Sequence, residues 1–235
     1  MSLRIALVGE AGAGAAAAVA AARAAGADVV CLPHLSFMPW APAVCDRAGL
    51  EHAERPPSRR WRDALEAAGG AWLAASAYES EGEGVFYATA YVGRAGGPPP
   101  AVTRQRHLEA APGRWEQLLW QPGHEPPQLA ELAAGPAAAL IGHDLHVPAA
   151  WEQAAALGAR VVLGAASEPA DRWERTCALA TAMAAAHALT VLVANRAGSE
   201  DGLTFAGGGL AVGPDGRVLE PGADGLVTID GGAAA

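Results

Sequence analysis

Histidine is the side chain that exchanges protons most readily near neutrality, and three of this chain's seven histidines stand where a site could form. His34 follows DVVCLP, an apolar run stopped by Pro33, and His143 and His146 flank Asp144 in the turn after PAAALIG. If the fold brings those two turns together, three imidazoles and a carboxylate are a possible ligand set for zinc or iron. The same histidines could instead move a proton without a covalent intermediate. The plainer alternative is that they are polar loop replacements, and no metal or cofactor is expected. Three cysteines, Cys31, Cys45 and Cys177, are scattered along the chain and form neither a CxxC knuckle nor a disulfide framework. Cys31 precedes His34 by three residues, an odd offset that points to the opposite face of a strand. Cys177 falls on a helix, and Cys45 falls in a loop with no base nearby. All 16 basic residues are arginine, so no step that needs an ε-amino group can run here.

Other motifs carry less. GEAGAGAAA lacks the Lys and Ser/Thr of a phosphate loop, and no acid ends the second strand to hold a ribose; a small-residue turn feeding a helix explains it. Arg104 and Arg106 could grip a carboxylate or phosphate, or stand solvated on a loop. Trp115, Trp120, Trp151 and Trp173 could line a pocket, a dimer face or the core. A net charge of −9 gives no electrostatic reason to bind nucleic acid or an anionic membrane. MSLRIALVGE has no signal-peptide arrangement and no apolar run reaches 18 residues, so a reducing cytoplasm is expected.

The elements that must position these side chains alternate. RIALVG (4–9) and DVVCLP (28–33) read as strands around an Ala-rich helix over 11–25, with Gly26 as its cap. Residues 34–57 are irregular, and 58–70 form a helix ended by glycines. Strands 71–78 and 84–93 are expected on either side of an acidic turn, ESEGE. A strand enters the turn at 142–144, a helix follows from VPAAWEQ, then strand 160–164, a long helix over 170–188 and strand 189–196. LTFAGGGLAVGPDGRVLEPG reads as a hairpin about Pro214-Asp215-Gly216, and GLVTID closes the fold. The expectation is one layered α/β domain over 1–235.

Four collinear segments, AAGADVVCLPH, TRQRHL, LIGHDLHVPAAW and VLVANRAGSEDGLTFAGGGLAVGPDGRVL, resemble the nitrilase (carbon–nitrogen hydrolase) superfamily. The resemblance spans nearly the whole chain. It implies a four-layer αββα sandwich that pairs through its helical layers, hence a homodimer. It also implies a cysteine that attacks a nitrile or amide carbon, a glutamate base and a lysine that stabilises the tetrahedral intermediate.

Carried over position by position, the glutamate becomes His34, the lysine Gln105 and the cysteine Gly142. Glu116 matches a further glutamate common near the site. His143 and His146 stand where relatives carry an aromatic residue and an arginine. The Arg and Glu usual on the long helix become small residues such as Thr181 and Ala186, while Asp144, Pro148, Asn195 and Gly198 remain as framework. The reading is a pseudoenzyme with no catalytic residue retained. Its candidate pocket residues are His34, Gln105, Glu116, Gly142, His143 and His146, and it would bind a small molecule or act as a structural or regulatory partner. The alternative is an enzyme with altered, non-covalent chemistry on an amide-like or carboxylate-bearing molecule, using His34 with His143 or His146.

Overall fold

The structure, a computed structural model, describes residues 2–43 and 47–230. Its strands are β1 (Ser2–Leu7), β2 (Val29–Cys31), β3 (Trp72–Gly82), β4 (Val85–Arg94), β5 (Ala101–Arg104), β6 (Ala110–Ala111), β7 (Arg114–Trp115) and β8 (Ala130–Leu132). After these come β9 (Gly135–Ile141), β10 (Val161–Ala166), β11 (Thr190–Asn195), β12 (Ala197–Glu200), β13 (Leu203–Ala206), β14 (Gly209–Val212) and β15 (Val227–Asp230). The helices are α1 (Ala15–Ala24), α2 (Arg59–Ala67), α3 (Pro148–Ala156) and α4 (Ala170–His187).

One sheet runs β15-β1-β2-β3-β4-β5 and the other β14-β11-β10-β9-β8. The middle of each is parallel, β1 with β2 and β3, and β9 with β10 and β11, while the flanking pairs are antiparallel. The buried runs Val29–Cys31 and Val161–Ala166 suit central strands covered on both faces.

Side-chain alternation sets the layers. Ala137, Ala139, Ile141, Val161 and Leu163 join the core shared with the first sheet. Ala138, Leu140, Val162, Val191 and Val193 pack with Trp151 and Ala180 of α3 and α4. With α1 and α2 against the first sheet, the result is the αββα sandwich expected.

Helix ends follow local chemistry. Ser58 Oγ accepts from Trp61 N at 3.1 Å and starts α2. Gly26, with φ +92°, ends α1 as its position required. Pro148 opens α3.

Two expectations are corrected. The acidic stretch is not a turn: β3 continues through Glu79–Gly82 and the chain reverses at Glu83–Gly84. Glu79 can be buried in a strand because Arg104 and the Thr89 hydroxyl neutralise it. The hairpin about Pro214-Asp215-Gly216 forms next to its turn, where Gly213 N donates to the Arg217 carbonyl and Leu219 N to the Ala211 carbonyl, both at 2.8 Å, around the Val212–Val218 bridge. Its first stretch departs from the expectation: Leu203–Ala206 pairs backward with Ala197–Glu200, and the other edge of β14 joins β11.

Candidate functional site

The ends of β2, β5 and β9 bring three of the expected positions into contact. His34 lies just beyond β2, its amide held by the carbonyl of Ala166 at 3.1 Å. Its Nδ1 lies 3.3 Å from Ser76 Oγ of β3. That hydroxyl also accepts from Leu35 N at 2.7 Å. The other ring nitrogen, Nε2, has no partner among the described residues. Gln105 follows β5, and its Nε2 donates to the His107 carbonyl at 2.9 Å and to Glu116 Oε2 at 2.7 Å. Glu116 Oε2 also accepts from Glu109 N at 3.0 Å.

Gly142 follows β9 with φ +55°, a conformation that suits glycine. A Cβ built on it falls 2.8 Å from Gln105 Nε2 and 3.0 Å from His34 Nε2. The side-chain space at residue 142 is already occupied.

The electrostatics match that packing. His34 and Gln105 are fully buried and Glu116 nearly so. Burial, then the charges of Arg196 and Arg114, lowers the His34 pKa to about 3. A ring that refuses a proton at neutral pH is a poor general base. Burial raises Glu116 to about 8 despite its hydrogen bonds from Glu109 N and Gln105, so it is mostly protonated near neutrality. The trio therefore offers neutral donors and acceptors and neither nucleophile nor cation. Among the described residues no thiol compensates: burial pushes Cys31 up to about 12 and also raises half-buried Cys177 on α4. Cys45 lies outside the described residues.

His143 and His146 belong to an adjoining ionic cluster. Their rings stack at 5.4 Å. His146 Nε2 lies 2.9 Å from Glu168 Oε1, and His143 Nδ1 lies 3.6 Å from Glu109 Oε2. Arg114 (2.6 Å) and Arg172 (3.0 Å) bind Glu168, and Arg172 also binds Glu109. Burial works against the Glu168 charge, but these partners hold its carboxyl below the usual range. Among the described residues no three His, Cys, Asp or Glu side chains gather as a metal site.

The framework residues do what their types allow. Asp144 accepts from the amides of Arg106 and His107 and from His107 Nδ1. Asn195 ties Glu168 N and the Gly207 carbonyl together.

Sequence reasoning missed Ser76, Glu109, Arg114, Glu168, Arg172 and Arg196. Arg196 is fully buried, with Nη2 donating to the carbonyls of His34, Leu35 and Met38 and Nη1 paired with Glu200. It lies within the ANR segment already singled out, and a charged residue closing an apolar strand is the signal that could have found it. Trp40 completes the cover, edge-on to His34 at 5.7 Å, with its amide bound to Glu200 at 2.7 Å.

The carbon-nitrogen hydrolase family model matches residues 10–229. Among solved structures, a carbon-nitrogen hydrolase from Helicobacter pylori G27 shares the fold with a TM-score of 0.83 at 19% identity, over 98% of this chain and 90% of that one. An amidase from Nesterenkonia sp. AN1, as a cysteine-to-alanine variant in complex with butyramide, is 25% identical over 98% of this chain and 90% of its own, with a TM-score of 0.78. Another variant of that amidase carries the acetamide moiety of fluoroacetamide on its active site cysteine; it is 25% identical, covers 98% of this chain and 89% of its own, and has a TM-score of 0.77. No curated protein matches this sequence. With the sandwich, the four collinear segments and a family match over residues 10–229, the chain belongs to the carbon-nitrogen hydrolase family.

Proposed function

We propose that this chain is a family member that has lost the covalent cysteine mechanism and acts without hydrolysis, as a small-molecule-binding, structural or regulatory protein. The observation that carries this reading is the collision at residue 142, where a built Cβ meets Gln105 at 2.8 Å and His34 at 3.0 Å. A nucleophile has no atom there, a Cβ at residue 142 would need the ends of Gln105 and His34 to shift, and these neighbours supply no charge for an oxyanion. Because His34, Gln105 and Glu116 are buried, this reading treats the old catalytic positions as polar core and puts the working surface elsewhere. The reading also takes 1–235 as one domain that forms a homodimer through its helical layers. It places the protein in the cytoplasm, which suits free Cys31 and Cys177. Among the described residues no helix is long and apolar enough to cross a membrane.

Restoring the sulfur tests the proposal. Gly142→Cys should not gain amidase activity. It should lower stability by roughly 1–3 kcal/mol, because the left-handed backbone and the crowded site both resist a side chain. Urea titration and ammonia release from butyramide read the two effects. Turnover appearing in this single variant would contradict the proposal.

The second reading, non-covalent histidine chemistry, draws support from one observation, the 2.9 Å His146–Glu168 contact, which orients an imidazole with a carboxylate. It rests on His146 alone, since His34 is turned into the core.

A further inference from the structure

The arginines around the old site are neutralised with one exception. Arg104 pairs with Glu79 and Glu81, Arg114 and Arg172 with Glu168 and Glu109, and Arg196 with Glu200. Among the described residues the Arg106 guanidinium meets no carboxylate, and its hydrogen bond goes to the neutral side-chain amide of Gln153. Its charge is therefore open to an anionic ligand.

Arg106 also lines a cleft of about 360 Å³ with Leu108, Gln117, Trp120, Gln121 and Pro122. No acidic side chain is in that wall. Leu108 and Pro122 offer part-exposed apolar faces over buried Trp120, while the exposed amides of Gln117 and Gln121 stand at the rim. The cleft is built from the two segments that carry Gln105 and Glu116, one residue further out in each case. Its volume is within the range of small-molecule sites.

We propose that this cleft binds a small organic carboxylate, with Arg106 taking the carboxylate and Leu108 and Pro122 the alkyl body. A planar guanidinium matches a carboxylate with two parallel hydrogen bonds. One cation with amide donors suits a single negative charge better than the double charge of phosphate. Gln153 holds the guanidinium while the cleft is free and competes with the ligand for it. The inference does not depend on whether the catalytic positions are silent, and its test reads binding rather than turnover.

Saturation-transfer NMR with butyrate, butyramide and inorganic phosphate on the full chain provides that test. Butyrate should bind, butyramide should bind at least about ten-fold more weakly, and phosphate should not displace butyrate at equal concentration. Arg106→Gln should weaken butyrate by about ten-fold or more. Its fold should survive, because Asp144 is held by the main-chain amide of residue 106 rather than by the side chain. Gln153→Met, which removes the competing amide, should tighten butyrate binding. Equal affinity for butyrate and butyramide, displacement by phosphate, butyrate binding unchanged in Arg106→Gln, or no butyrate binding to the native chain would each overturn the proposal.

Discussion

Glu116→Gln should remove the alkaline limb of the stability profile. In the native chain two buried groups pull in opposite directions. Glu116 is raised from 4.5 to about 8, so the folded state holds a proton that the unfolded state has released, and stability falls as pH rises between those values. His34 is lowered from 6.5 to about 3, so the unfolded state takes a proton that the folded state refuses, and stability falls as pH drops between those values. Each limb changes by about 1.4 kcal/mol per pH unit. The two cancel between about pH 4.5 and 6.5, and Glu116 alone governs the next 1.5 units, a loss of about 2 kcal/mol by pH 8. Glutamine cannot titrate, so the variant should hold its stability from pH 6.5 to 8. On the acid side Glu168, held below its usual range, adds to the His34 loss, so the alkaline limb is the cleaner readout. Urea midpoints at pH 6, 7 and 8 check this, and a variant curve parallel to the native one would refute the protonated Glu116.

Arg196→Met should cost about 3–5 kcal/mol, the range for breaking a buried charge pair. The substitution fills similar space but leaves the carbonyls of His34, Leu35 and Met38 without their donor. It also leaves Glu200 paired only with the Trp40 amide. In a chain of this size the loss corresponds to a melting-temperature drop on the order of 10 °C. Glu200→Gln, which keeps the carbonyl donors in place, should cost clearly less. If both variants melt with the native chain, the cover over His34 does not depend on this arginine.

How much of this was legible in the sequence depends on the range of the cause. The strand–helix order, the helix beginning at 58 and the turn at Gly26 are set by residues a few positions apart, and they read correctly. The convergence of His34, Gln105 and Gly142 could be expected only through the resemblance, because the three lie on separate strands. ESEGE misled because charge normally marks a turn. Here the partner that keeps Glu79 in the strand is Arg104, twenty-five residues on. The Pro-Asp-Gly turn read correctly, and its hydrogen bonds join Ala211–Gly213 to Arg217–Leu219; what it could not show is that Leu203–Ala206 pairs backward with Ala197–Glu200 and that β14 gives its other edge to β11. The cluster of Glu109, Arg114, Glu168 and Arg172 joins two stretches of chain more than fifty residues apart, and no local pattern announces it.

The most direct test of the central claim is to offer the protein butyramide and fluoroacetamide, following ammonia release and intact mass together. The account predicts no ammonia above buffer and no acyl or alkyl adduct tied to turnover, since residue 142 carries no thiol and burial keeps Cys31 protonated. Steady ammonia release, stopped by one equivalent of adduct on a cysteine, would contradict it.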